Sequence, residues 1–147
     1  MERRLFLKSA IAGSAVATAV GAGLLTPSTV FAASAKFKGL SNTAVSNVAS
    51  AGKGSFKFKA PEIAENGAKV PMEVNASKIS DVTNISFLVK ENSTPLVASF
   101  NLFGAVGFIS TRVKMGKTSA VDALVTAGGS TTKVTKEVKV TIGGCGG

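Results

Sequence analysis

The fold is decided by the end of the chain, residues 119–147, which read SAVDALVTAGGSTTKVTKEVKVTIGGCGG. Apolar and polar side chains alternate through residues 121–127 and again through residues 134–142, and Gly128-Gly129 separates the two runs. A period of two places alternate side chains on opposite faces of a strand, and a glycine pair suits a tight turn. The stretch therefore predicts two antiparallel strands followed by a tail, residues 143–147.

The same alternation recurs upstream, in runs that begin at Phe56, Val70, Ile85, Leu96 and Ile109. About seven half-buried strands over a single domain are typical of an immunoglobulin-like sandwich. We predict an all-β, immunoglobulin-like antiparallel sandwich with a flexible C-terminal GGCGG tail. Pro71 lies inside one run and predicts a sheet edge or a bulge there, because proline donates no hydrogen bond. Residues 33–52 are small and polar, and either a short helix or irregular chain fits them.

Residues 1–32 have the features of an export signal. Arg3 and Arg4 stand before an apolar pair and a lysine, which resembles the twin-arginine export motif, and an Ala/Gly-rich apolar stretch follows. We predict a signal over residues 1–32, with cleavage after Ala32 or, as a second choice, after Ala35. We also predict a sandwich domain over residues 33–142 and a periplasmic mature protein that is not in the membrane. An uncleaved anchor is the alternative. Twin-arginine export moves folded proteins, so we also expect a partner subunit that travels with the chain.

Composition excludes several kinds of function. The chain has no His, which removes the usual general base and the usual zinc or copper ligand. The net charge is +9, but the lysines are dispersed and no basic block alternates with aromatic residues, so we predict no nucleic-acid binding. Gly116-Lys117-Thr118 resembles the end of a phosphate-binding loop but lacks its first glycine, so we interpret it as a turn. We predict no cofactor, no metal and no catalytic residue.

Cys145 is the one cysteine of the chain, and it stands beyond the last predicted strand. Gly143, Gly144, Gly146 and Gly147 surround it, and their lack of side chains predicts a thin, mobile carrier arm. A thiol without a partner cysteine in an oxidising compartment either bonds to another molecule or is chemically occupied. Two hypotheses follow. The arm carries a covalent substrate, or Cys145 forms a disulfide that dimerises a structural or adhesive domain.

Four segments of the chain carry a family resemblance. Residues 138–147, VKVTIGGCGG, resemble the C-terminal signature of the SoxY family, the sulfur-carrier subunits of the bacterial thiosulfate-oxidising Sox system. Residues 60–67, APEIAENG, followed by Val70-Pro71, resemble an internal motif of that family, and residues 92–95 and 110–113 stand in family-like order. The family more often has two prolines within 92–95, where this chain has only Pro95.

The resemblance implies a mechanism and a set of partners. A c-type cytochrome partner joins thiosulfate oxidatively to Cys145, giving a cysteine S-thiosulfonate, and a hydrolase then releases the terminal sulfone as sulfate. The remaining cysteine persulfide is oxidised by a sulfane dehydrogenase or transferred, according to the organism. The carrier works as a heterodimer with a smaller subunit, SoxZ. It is not itself an enzyme, because a thiol of ordinary pKa, about 8.5, is only slightly ionised at neutral pH and each partner must activate it.

Overall fold

The computed structural model describes residues 27–141, with side chains from Gly39 onward. These residues divide into two units between Gly39 and Leu40, and the first unit contains only the start of helix α1. No helix within residues 27–141 has the length and apolarity that a membrane crossing needs.

The elements are α1 (Pro27–Ser50), β1 (Gly52–Lys53), β2 (Lys57–Lys59), β3 (Ile63–Ala64), the 3-10 helix η1 (Gly67–Lys69), β4 (Val70–Asn75), β5 (Val82–Val89), β6 (Leu96–Asn101), β7 (Phe108–Val113), β8 (Ser119–Ala127) and β9 (Ser130–Val140).

The strands of residues 27–141 form two sheets. The larger sheet has the order β1-β9-β8-β5-β6, with β3 also paired to β9, and the smaller sheet has the order β2-β4-β7. Neighbouring strands are antiparallel, except that β1 and β3 run parallel to β9. The predicted runs correspond to β2 and to β4 through β9. The prediction of an all-β, immunoglobulin-like sandwich is confirmed, and β1 and β3, at two residues each, are too short to show a period.

The core lies between the two sheets and consists of the alternating apolar positions. Phe58 of β2 packs against Phe87 of β5 with ring centroids 6.0 Å apart and ring planes inclined by 47°, so this contact joins one sheet to the other. Met72 and Val74 of β4 and Val125 of β8 are buried in the same cluster. Because aromatic rings bury large apolar areas, the Phe58–Phe87 contact is a major part of what holds the sheets together.

The C-terminal part of α1 covers the outer face of the larger sheet. Val48 packs there with Leu88, Leu96 and Leu124 in a second buried cluster. Lys133 Nζ donates to the carbonyl oxygen of Val48 at 2.8 Å, which places a positive charge at the C-terminal end of the helix, where the helix dipole favours it. Of the two possibilities for residues 33–52, the structure has the helix, through Ser50.

Asp122 of β8 lies on this helix-covered face and is completely buried. Thr135 Oγ1 donates to its Oδ1, while Lys90 Nζ lies 3.3 Å from its Oδ2 without forming a hydrogen bond of good geometry. The residue lines a cavity of about 430 Å³ between α1 and the sheet, together with Val45 and Leu88. The buried carboxyl group of Asp122 is thus contacted by one hydroxyl donor and one ammonium group.

Pro71 lies in β4, which is the middle strand of the smaller sheet. Strand β2 pairs only with residues 73–75 of β4, so at Pro71 the strand has a single neighbour, β7. The expected sheet edge is therefore present locally, although β4 as a whole is central.

Replacing Phe87 by Ala should lower the free energy of unfolding by about 3–5 kcal/mol, because it opens a cavity between the sheets that neighbouring side chains fill only partly. Denaturant titration monitored by circular dichroism measures the change. The matched control is Phe103→Ala, since Phe103 is 93% exposed and should change the stability by less than about 0.5 kcal/mol. Equal losses in the two variants would contradict the assigned core.

Candidate functional site

Cys145 lies outside the described residues, and so do Gly143, Gly144, Gly146 and Gly147 of the arm and Arg3 and Arg4 of the export motif. The described chain ends at Thr141, one residue beyond β9. The structure therefore shows the platform from which the predicted arm departs, and the geometry of that platform sets where the arm begins.

The end of β9 is hydrogen-bonded along one edge to the segment that contains β3. Ile63 pairs with Lys139 and Ala64 pairs with Val140 in parallel register. The Lys139 N–H donates to the carbonyl oxygen of Glu62 at 2.9 Å, and the Thr141 N–H donates to that of Ala64 at 3.2 Å. The backbone is thus held by β3 up to the last described residue.

At the opposite edge of β9, a side chain accepts the hydrogen bond that a neighbouring strand would otherwise accept. Strand β8 begins at Ser119, opposite Val138, so it does not extend far enough to reach Val140. The Val140 N–H donates instead to Thr118 Oγ1 at 3.0 Å. The amides of residues 139, 140 and 141 are therefore all satisfied, on alternating sides. We call residues 62–64, Thr118 and residues 139–141 the arm base.

Thr118 is positioned by the turn between β7 and β8, which two other segments hold in place. Asn92 Nδ2 donates to the Lys114 carbonyl at 2.8 Å, and Asn92 Oδ1 accepts from the Gly116 N–H at 3.1 Å. The Met115 N–H donates to the Gly67 carbonyl at 2.7 Å. The residues that resembled family motifs, 60–67 and Asn92, thus converge on the arm base.

The surface beside the arm base is partly apolar and carries both signs of charge. Ile63 is 59% exposed and lines a shallow cavity of about 380 Å³ together with Glu62, Glu137 and Lys139. Among residues 27–141 no group of three or more His, Cys, Asp and Glu side chains is placed to hold a metal ion. The surface beside the arm base thus combines one exposed apolar side chain with side chains of both charges.

Sequence reasoning did not identify Thr118 as a residue that supports the arm. It occurs in Gly116-Lys117-Thr118, a segment that resembles the end of a phosphate-binding loop. In the structure these residues form a bend that leads into β8 and not into a helix. The role of residues 62–64 was also missed. Strand β3 has only two residues, and two residues are too few to show the alternation of apolar and polar side chains. The one available indication was that these segments resembled family motifs without having an evident chemical purpose.

The fold defines an immunoglobulin-like sandwich whose last strand, β9, is hydrogen-bonded along both edges. Comparison with known families assigns it more narrowly. The family described as sulfur oxidation protein SoxY matches residues 41–145, a span that includes the sandwich and Cys145. The chain belongs to the SoxY family.

Among solved structures, the chain is similar to the sulfur carrier protein SoxY from Chlorobium limicola f thiosulfatophilum. The sequence identity is 39% and the TM-score is 0.57, over 70% of this chain and 96% of that one. The comparison with curated proteins finds no match.

Replacing Thr118 by Val keeps the side-chain shape but removes the acceptor for the Val140 N–H. Loss of a hydrogen bond worth about 1 kcal/mol should make hydrogen exchange at the amides of Val140 and Thr141 about fivefold faster, as measured by NMR. The control is Thr83→Val, which removes a bond from Thr83 Oγ1 to the Thr126 carbonyl, 3.2 Å long, at the other end of the sandwich. Unchanged exchange in Thr118→Val would show that this hydroxyl does not fix the arm base.

Proposed function

We propose that this chain is the sulfur carrier of a thiosulfate-oxidising system and that it holds sulfur intermediates covalently on Cys145. The observation that carries the proposal is the match of the SoxY family over residues 41–145, a span that includes Cys145, on a sandwich that pairs the amides of residues 139–141. Similarity to a solved sulfur carrier protein supports the same role.

The arrangement suits a carrier because it separates a fixed body from a terminal thiol. Four residues lead from Thr141 to Cys145, so at about 3.3–3.6 Å per residue the Cys145 Cα lies within about 14 Å of the Thr141 Cα. Glycine adds no side-chain bulk, so the segment on either side of the thiol is narrow. A narrow segment of this length fits an enzyme channel while the sandwich stays outside.

The loading step forms a bond between the Cys145 sulfur and the terminal sulfur of thiosulfate. The thiolate loses no atoms in this step. Formation of the new sulfur–sulfur bond is a two-electron oxidation, and both electrons go to a c-type cytochrome partner. Water then attacks the sulfone sulfur in the site of a hydrolase partner, which liberates sulfate and two protons and leaves a persulfide on Cys145. A sulfane dehydrogenase partner then oxidises the outer sulfur of the persulfide anion with three waters to a cysteine S-sulfonate, passing six electrons to its own acceptor and releasing six protons, and the hydrolase partner releases this group as sulfate. In the alternative, the outer sulfur is transferred to another acceptor without oxidation.

In this proposal the chain does not catalyse any of these steps. Its thiol needs a base or a cation to become a good nucleophile, and the partner sites supply it. The mature protein works in the periplasm after twin-arginine export, as a heterodimer with SoxZ. The Arg3-Arg4 pair and the apolar stretch that follows it support this location.

Replacing Cys145 by Ser should abolish covalent loading and thiosulfate turnover in a reconstituted system, because a hydroxyl hardly ionises and is a poor nucleophile toward sulfur. Intact mass spectrometry with and without reductant measures the loading. The wild-type chain should gain sulfur or thiosulfonate additions that reductant removes. A wild-type spectrum that contains only a disulfide-linked dimer would instead favour a structural domain and would contradict the carrier role.

Replacing Gly144 by Val tests the narrowness of the arm separately from the chemistry of the thiol. A β-branched residue restricts the backbone and adds bulk beside Cys145. We expect loading by the partner enzymes to fall about tenfold or more, while the rate of alkylation by iodoacetamide stays close to that of the wild type. Loading at the wild-type rate would show that the glycines do not serve passage into enzyme sites.

A further inference from the structure

The cavity between α1 and the larger sheet has mostly apolar walls. Val45, Val48 and Ala49 of α1 line one side, and their i, i+3, i+4 spacing places them on one face of the helix. Leu88 of β5 and Pro95 line the side of the sheet. At about 430 Å³, the cavity is within the size range of small-molecule sites. The helix therefore leaves room on the sheet for a compact apolar molecule.

One polar group that lines this cavity lacks part of its hydrogen bonding. Asp122 is completely buried, and Thr135 Oγ1 donates to its Oδ1, but no group within residues 27–141 donates a hydrogen bond to its Oδ2. Lys90 Nζ, 3.3 Å away, balances the charge of the carboxylate without being aligned as a donor. Because a buried oxygen without a donor is unfavourable, this position favours a molecule that brings an O–H or N–H group. A single water would supply the donor but occupies only about 30 Å³, so most of the cavity would remain.

Two ammonium groups and one carboxylate determine which charge an occupant can carry. Lys133 Nζ, which donates to the Val48 carbonyl, belongs to the wall of the cavity, as does Lys90. A cation would be repelled by both lysines, and an anion would be repelled by the Asp122 oxygen that needs a donor. A neutral hydroxyl group satisfies both kinds of neighbour, because its hydrogen is donated to the carboxylate while its oxygen accepts from an ammonium group.

The cavity is open to solvent at one side. Val45 is 44% exposed although it lines the cavity, and the Lys90 side chain is 51% exposed. These two residues therefore lie at the mouth of the cavity, whereas the completely buried Asp122 lies inside it. A molecule that enters with its hydroxyl group first reaches the carboxylate and leaves its apolar part between the helix and the sheet.

We propose that this cavity is a binding site for a neutral molecule that has an apolar body and one hydroxyl group, of the phenol or cyclic-alcohol class, and that the hydroxyl donates to Asp122 Oδ2. The site is built by α1, β5, β8 and β9 and does not include Cys145, so the inference is independent of the proposed carrier function. Because the occupant contacts both the helix and the sheet, its binding stabilises the packing of α1 by mass action.

The test uses the mature full chain and two matched probes, phenol and anisole, which are titrated while the methyl signals of Val45, Val48 and Leu88 are followed by NMR. Anisole keeps the ring and the oxygen of phenol but has no O–H to donate. The wild type should bind phenol about tenfold more tightly than anisole, since only phenol forms a hydrogen bond to the carboxylate.

Three variants connect this preference to the cavity. In Asp122→Asn the amide oxygen remains the acceptor for Thr135 and the amide nitrogen replaces Oδ2, so phenol and anisole should bind within about twofold of each other. Ala49→Phe fills the cavity and should abolish the binding of both probes. The control is Asp81→Asn, which changes an exposed carboxylate at a φ of 55°, where Asn is also tolerated, and should keep the preference of about tenfold.

Thermal melting shows whether each variant is folded, and phenol should raise the melting temperature of the wild type but not that of Ala49→Phe. If phenol at about 10 mM shifts none of the three methyl signals of the wild type, the cavity holds only solvent and the proposal fails. If benzoate or benzylammonium binds more tightly than phenol, the site selects a charged ligand and the assigned chemistry is wrong. An unchanged preference for phenol in Asp122→Asn would show that the carboxylate does not hold the hydroxyl group. If that variant does not fold, equal binding of phenol and anisole to the wild type overturns the proposal by itself.

Discussion

Hydrogen bonding along both edges of β9 is the constraint on which the rest of the structure depends. Strand β8 pairs with one edge over nine residue pairs, and β1 and β3 pair with the other edge in parallel register. The same strand supplies Lys133, which binds the end of α1, and Val138, which is buried in the core. Strand β9 therefore contacts the neighbouring strands, the core, the helix and the rest of the arm base. These contacts fix the position of the C-terminal end of the domain.

Alternation of apolar residues was sufficient to predict the sandwich, because each main strand packs one face against the opposing sheet. It gave no indication of Asp122, which the helix buries on the face that a simple sandwich would leave in water. It also missed β3, whose pairing with β9 comes from tertiary placement and not from a repeating pattern. For the site, composition predicts Cys145, which lies outside the described residues, whereas Thr118 acts through a bond to a backbone amide that no local sequence pattern specifies.

The two ends of the sandwich differ in chemistry, and the fold keeps them apart. Around the arm base, acidic and basic side chains such as Glu62, Glu137 and Lys139 surround one exposed apolar residue. At the opposite end, the loop between β6 and β7 exposes the apolar side chains of Phe103 and Val106. A β-sandwich accommodates both because its loops gather at two ends that the strands separate.

The fixed position of Thr141 has a consequence for the local concentration of the Cys145 thiol. Whatever path residues 142–145 take, the thiol is confined to roughly a hemisphere with a radius of about 14 Å, set by the length of the chain. One thiol in that volume corresponds to an effective concentration on the order of 0.3 M for any enzyme site that opens within it. Under the proposed function, the encounter of an attached sulfur with a docked enzyme would depend on this geometry and no longer on the amount of thiosulfate in the surroundings.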